Sequence, residues 1–154
     1  MTAEERIKEL GLELPEPLGI SPLAEHLWVK RSGSLLILGG ICPLKGTMPS
    51  ITGKVVRDML HEDAYNAARL CALNALSLIK KEVGSLDLVE DVISVTGYVA
   101  GDDDFYDQHM IMNGASHLLV DVFGEKGAHV CSPVGVNSLP FNVPVMIDMV
   151  VRVR

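Results

Sequence analysis

Two side chains that can do chemistry lie two residues apart near the end of the sequence, where His129 precedes Cys131. A cysteine beside an imidazole base could act as a nucleophile. The alternative is a thiol that packs as a small hydrophobe, and it is favoured because residues two apart seldom present good nucleophile–base geometry. The pair is also too small for a metal site, since two ligands do not complete a coordination shell. The catalytic residues are therefore unknown from the sequence, and no metal or cofactor is predicted.

A second group of polar side chains is spaced by four residues, which places His109, Asn113 and His117 on one face of a predicted helix. These residues could line a cleft or bind a metal ion, but a solvated polar helix face is the favoured interpretation. The acidic run from Asp102 to Asp104 could bind a cation, although capping of the following helix is favoured.

The composition predicts one domain over residues 1–154, of which residues 1–20 form an N-terminal helix and a connector. A net charge of −7 disfavours nucleic-acid binding, because an acidic chain repels phosphate backbones. The three cysteines have no metal-type spacing and indicate reduced thiols. No apolar signal segment and no run of membrane-spanning length occurs, so a cytoplasmic protein without a membrane partner is expected.

The elements that must position these side chains follow from hydrophobic periodicity and turn residues. Helices are predicted over residues 61–83 and 105–123, the second with a break at Asn113-Gly114. Strands are predicted over residues 25–30, 34–38, 89–100, 130–138 and 143–153. The order of strand, helix and strand around residues 61–83 predicts a right-handed crossover with parallel pairing. The fold class is α+β, a mixed sheet with two main helices on one face.

A single layer of helices leaves the other face of the sheet uncovered. Every main strand carries more apolar residues than one face needs, so this face is also apolar. An uncovered apolar sheet face normally meets a partner, and the pattern therefore predicts a homo-oligomer.

Several runs of residues, weak alone, form a specific series in their order and spacing. They are Leu35 to Gly40, Ile51 to Val55, the alanine-rich helix 61–83, Val134 to Val136, and Leu139 to Asp148. Together they resemble the YjgF/RidA family, also catalogued as endoribonuclease L-PSP-like proteins. Residues 113–116 and 122–127 resemble a longer YjgF-like subfamily.

The resemblance implies a chorismate-mutase-like fold of the bacillus type and a homotrimer with clefts between subunits. In active family members an arginine holds the carboxylate of an imine or enamine, and a glutamate on the last strand assists proton transfer. The products are a 2-keto acid and ammonia.

This sequence departs from the family pattern at the expected cleft. The arginine position is Cys131, and the glutamate position is Met146. A usual Ser-Gly-Gln is replaced by Gly39, Gly40 and Ile41, where the two glycines indicate close backbone approach. The candidate cleft-lining residues are Gly39, Gly40, Ile41, Asn113, His129, Cys131 and Met146. A replacement cation could come from Lys54, Arg57 or Arg152.

Two functions from different classes remain open. The first is a trimeric protein whose inter-subunit cleft binds a small metabolite and is a candidate for divergent enamine or imine deamination. The alternative is a non-catalytic interaction or regulatory module. Ribonuclease activity is disfavoured by the net charge of −7 and by the missing acid–base set.

Overall fold

A computed structural model describes residues 1–19 and 26–154. The three α-helices of this part are α1 (Ala3–Glu9), α2 (His61–Val83) and α3 (Gln108–Phe123). The strands are β1 (Val29–Ser32), β2 (Leu35–Ile41), β3 (Leu44–Lys45), β4 (Met48–Pro49), β5 (Val89–Ala100), β6 (Val130–Val136) and β7 (Val145–Val153). The predicted start of the first strand at Glu25 lies outside the described residues. No helix of the described ranges has the length and apolar character needed to cross a bilayer.

Five strands form one mixed sheet in the order β1-β2-β7-β5-β6, and β3 and β4 form a small separate hairpin. The last strand, β7, pairs antiparallel with both of its neighbours, β2 and β5. The predicted parallel pairing around α2 is wrong, because β7 inserts between the strands that flank this helix. The parallel pair is instead β5 with β6, which are joined through α3.

Both main helices cover the same face of the sheet, as predicted. The inward side chains of the strands alternate with half-exposed ones, most clearly in β7. Helix α2 begins and ends where the sequence predicts, and Gly84 ends it in the left-handed conformation with φ of 94°. Its buried alanines let it pack closely on the sheet and on α3.

Two predictions for the second helix are wrong. The helix begins at Gln108 after Asp107, whose side chain makes no capping hydrogen bond, so the acidic run Asp102–Asp104 does not cap it. There is also no break at Gly114, because α3 continues through it to Phe123. This glycine instead permits close contact between helices, since a Cβ atom on it would overlap the carbonyl oxygen of Tyr65 in α2.

The N-terminal segment is fastened to the helix layer by polar contacts. The Thr2 hydroxyl caps α1, and Glu4 forms a salt bridge of 3.0 Å with Lys80 of α2. Further along the connector, the Ser77 hydroxyl donates a 2.6 Å hydrogen bond to the carbonyl oxygen of Pro15. The connector therefore follows the outer surface of α2.

Buried thiols under the helix layer make the stability of the protein sensitive to alkaline pH. Burial raises the pKa of Cys42 to about 11 and also raises the pKa of Cys71. The folded state binds these thiol protons more tightly than the unfolded state does. The protonated thiols therefore stabilise the fold fully below the unfolded thiol pKa of ~8.5, and this stabilisation is lost as pH rises toward about 11. We expect the Tm to fall over this window, and to fall less steeply in Cys42→Ala. Thermal melts of wild type and Cys42→Ala under reducing conditions measure how the Tm depends on pH. Equal slopes of Tm against pH in the two proteins would contradict the assignment of this effect to Cys42.

Candidate functional site

The candidate cleft residues fall into two groups on opposite faces of the sheet. Met146 pairs with Tyr98 on the face without helices. Cys131 pairs with Val95, whose side chain is buried beneath the helices. We call Gly39, Gly40 and Met146 the open-face group. We call His129 and Cys131 the helix-side group.

The open-face group is organised around a carboxylate that the sequence interpretation missed. Asp148 accepts a 2.8 Å hydrogen bond from the backbone N–H of Gly40 and a 2.9 Å hydrogen bond from the Tyr98 hydroxyl. The hydrogen bond to Asp148 raises the pKa of Tyr98, so the phenol stays protonated at neutral pH. The available signal was that Asp148 is the one acidic residue in β7.

Because Gly39 and Gly40 have no side chains, the backbone of β2 can approach the Asp148 carboxylate closely. The pairing of β2 with β7 shifts register between Leu38 and Ile41, and Gly40 has φ of 66° there. A Cβ atom on Gly39 would lie 3.4 Å from Asp148 Oδ1, and one on Gly40 would lie 3.9 Å from Met146 Sδ. These two glycines and Met146 are therefore brought together at one bulge.

Two candidate residues lie elsewhere. The side chain of Ile41 is fully buried in the hydrophobic core, so it offers no surface to a cleft of this subunit. Asn113 is exposed on α3, while His117 on the same helix accepts or donates a 3.0 Å hydrogen bond with the Tyr65 hydroxyl. In residues 1–19 and 26–154, no three His, Cys, Asp or Glu side chains cluster as metal ligands would.

Ser116 of α3 joins the helix-side group as its third side chain. Ser116 Oγ lies 2.9 Å from His129 Nε2, and His129 Nδ1 lies 2.6 Å from the carbonyl oxygen of Gly127. Cys131 is exposed, whereas Cys42 and Cys71 are buried. Partial burial raises the pKa of Cys131, and the Ser116 side chain opposes this rise. Ser116 was not predicted as a site residue, although residues 113–116 belong to a stretch that resembles the longer YjgF-like subfamily.

The three cations considered as replacements for the family arginine have other partners. Lys54 Nζ lies 3.5 Å from Asn137 Oδ1, and Arg57 pairs with Asp58 at 3.6 Å. Arg152 pairs with Glu90 and Asp91 at the far end of the sheet. None of these contacts reaches the two groups of candidate residues.

The main cavities within residues 1–19 and 26–154 lie apart from both groups. A cavity of about 620 Å³ is lined by α1, Phe123 and residues around Asp87. A smaller one of about 330 Å³ lies between the carboxyl ends of β5 and β6 and the start of α3. Neither group lines these cavities of the described residues.

Comparison with known proteins places this arrangement in a family. A family described as "YjgF/chorismate_mutase-like, putative endoribonuclease" matches residues 4–152. Protein TCP17 of Trypanosoma cruzi is 32% identical over 149 residues, which are 96% of this chain and 92% of that protein.

Solved structures agree with this match. The Agrobacterium tumefaciens protein Atu1372, of unknown function, is 38% identical with a TM-score of 0.88, over 99% of this chain and 92% of that one. Escherichia coli TdcF, at 21% identity and a TM-score of 0.60 over 92% of this chain and 95% of that one, shares the fold alone. The α+β architecture is thus the chorismate-mutase-like fold, and the chain belongs to the YjgF/chorismate mutase-like family.

Proposed function

We propose that this protein is a homotrimer that binds a small metabolite in the clefts between its subunits. The observation that carries the proposal is the exposure of β6. All but the last of its seven residues are exposed, and none of them is charged. The unpaired backbone groups of this edge strand, except at Pro133, which has no N–H, can pair with another chain.

The open face of the sheet adds apolar area to the proposed interface. Ile37 is aligned across the sheet with Val150, Ser94 and Val130. Of these, Ile37 is 44% exposed and Val130 is 70% exposed. Ser94 interrupts this row, but exposed large apolar side chains on a sheet face are typical of interaction sites.

The placement of the two groups supports a cleft between subunits rather than within one. The helix-side group lies at the β6 edge, and the open-face group lies in the middle of the opposite sheet face. A neighbouring subunit that covers the edge strand could bring its own open-face group toward the helix-side group. Each cleft would then draw side chains from two chains.

The chemistry of the two groups favours a small polar ligand held by hydrogen bonds. Within the described residues they offer a carboxylate, two hydroxyls, an imidazole and a thiol, but no cation. These two groups therefore lack the guanidinium that would pair with the carboxylate of an amino acid-derived imine and anchor it strongly. TdcF has been solved with bound serine, so this fold can hold a small amino acid.

The assembly is tested by light scattering on the purified chain and on a variant with a charge at the edge strand. Wild type should have three times the 16.7 kDa chain mass. Val134→Lys should dissociate the trimer, because the interface would bury an unpaired ammonium group. Leu60→Lys, at a position 72% exposed outside the sheet, is the matched control and should stay trimeric. A monomeric wild type would refute the assembly.

The ligand is tested on the intact trimer. Thermal shifts with a panel of amino acids and 2-keto acids should identify a stabilising ligand, whose effect Val134→Lys should remove. Ammonia release from freshly generated 2-aminoacrylate above the uncatalysed rate would add deamination to binding. A folded trimer that shows neither effect would favour the interaction module instead.

A further inference from the structure

The cavity beside α1 lies apart from both candidate groups and has an apolar floor. Its volume of about 620 Å³ falls within the range of roughly 300–1,000 Å³ that is typical of small-molecule sites. Leu86, Val89 and Phe123 line it, and all three belong to the buried core. A ligand in this cavity can therefore place an apolar body against the core.

Three cations also line the cavity. They are Arg6 from α1, Lys126 from the turn after α3, and Arg154 after β7. The carboxylates that line it are those of Asp87 and Glu125, so positive charges outnumber negative ones here, although the whole chain has a net charge of −7. Asp87 Oδ1 already accepts a 3.0 Å hydrogen bond from a backbone N–H of α1. The local charge therefore favours an anion.

Arg6 is held in position while most of its donors remain available. Its Nη1 donates a 3.4 Å hydrogen bond to the carbonyl oxygen of Val122. A Cβ atom on Gly124 would lie 2.6 Å from this nitrogen, so the glycine leaves room for the guanidinium. Among the described residues Arg6 forms no salt bridge and its side chain makes no other hydrogen bond. A guanidinium fixed at the end of α3 can therefore pair with the carboxylate of a ligand.

The two other cations are less constrained than Arg6. Lys126 is exposed and has no salt bridge within residues 1–19 and 26–154. Arg154 Nε lies 3.9 Å from Glu90 Oε1, a long contact with a carboxylate that also pairs with Arg152. Arg6 is thus the main anchor, and Lys126 and Arg154 add to the positive potential around it.

We propose that this cavity binds a small carboxylic acid with an apolar body. The carboxylate pairs with the Arg6 guanidinium and is attracted by Lys126, while the apolar body contacts Phe123 and Leu86. All of these residues belong to one subunit. The site is therefore distinct from the cleft proposed between subunits and does not depend on the assembly.

Calorimetric titration of the full chain with hydrocinnamate, a phenyl group on a short carboxylic acid, tests this site. Wild type should bind one molecule per chain in a saturable manner. Hydrocinnamide, which has the same apolar body without the charge, should bind about tenfold more weakly or less, as expected for loss of a charged hydrogen bond. Acetate, which has the charge without the apolar body, should also bind more weakly. Equal binding of the acid and the amide would overturn the proposal.

Three variants locate the bound acid. Arg6→Gln should weaken binding about tenfold, because the guanidinium is lost. Lys126→Glu should weaken it about fivefold, a smaller effect because water screens an exposed charge. Lys8→Glu makes the same charge change at an exposed position of α1 that does not line the cavity, and it should bind as wild type does. Circular dichroism verifies each fold, and Lys126→Glu keeps the test decisive if Arg6→Gln does not fold.

Val134→Lys separates this cavity from the cleft between subunits. Hydrocinnamate binding should persist in this variant even when the trimer dissociates, because the cavity lies within one subunit. Loss of binding in Val134→Lys would place the acid in the cleft instead. That result, the absence of saturable binding to wild type, or equal affinity in wild type and Lys126→Glu would overturn the proposal. None of these results bears on whether the wild-type chain is a trimer.

Discussion

Gly114→Ala should lower the free energy of unfolding by about 2–3 kcal/mol, the usual cost of forcing extra volume into close packing. A Cβ atom at this position would overlap the backbone carbonyl of Tyr65, which cannot move without displacing α2. The higher helix propensity of alanine, worth about 1 kcal/mol, offsets only part of the cost. Urea denaturation monitored by circular dichroism measures the change.

The neighbouring position provides the control for this result. Asn113→Ala makes a comparable small change on the exposed side of the same helix and should leave the stability within about 0.5 kcal/mol of wild type. If Gly114→Ala were as stable as wild type, the close contact between α2 and α3 would not exist as described.

Asn74→Ala should lower the free energy of unfolding by about 2–4 kcal/mol, because two buried acceptors would lose their donor. The amide nitrogen of Asn74 donates to the carbonyl oxygens of Cys42 and Leu44 at 3.1 and 3.0 Å. Its side chain is 1% exposed, so water cannot easily replace these bonds. Chemical denaturation again gives the value.

Asn66→Ala is the matched control for this substitution. Asn66 lies two turns earlier on α2 and is exposed, so its replacement should change the stability little. Asn74→Ala should also loosen the segment that follows Gly40, since Cys42 is only two residues away. Among the described residues the Asn74 Oδ1 atom is buried without a hydrogen-bond partner, and its removal offsets part of the loss. Unchanged stability in Asn74→Ala would contradict a net stabilising role for the two hydrogen bonds.

The sequence predicts helices and strands correctly where the local residue pattern determines their bounds. Helix α2 and strand β5 have the predicted bounds, because an alanine-rich face and a β-branched run are each bounded by strong turn residues. The error at Gly114 has a tertiary cause. A glycine in a helical pattern usually indicates a break, and only the presence of α2 across from it makes it a contact point.

The candidate site is less predictable, because its contacts join residues distant in sequence. Gly40 and Asp148 are 108 positions apart, and Tyr98 and Asp148 are 50 apart. Family resemblance directed attention to Met146, whereas the polar group at this bulge is Asp148, two residues later. The resemblance at residues 113–116 does not show what Ser116 contacts, because its hydrogen bond to His129 forms only when the start of β6 lies beside α3.

The central position of β7 has a consequence for how the chain folds. Leu35 pairs with Arg152, so the sheet closes across more than a hundred intervening residues. Until residues 145–153 have left the ribosome, β2 and β5 both lack the strand that lies between them. Such distant pairing slows folding and leaves apolar strand edges open to aggregation in the meantime. The sheet is therefore expected to assemble after synthesis of the whole domain, in a step vulnerable to intermolecular strand pairing.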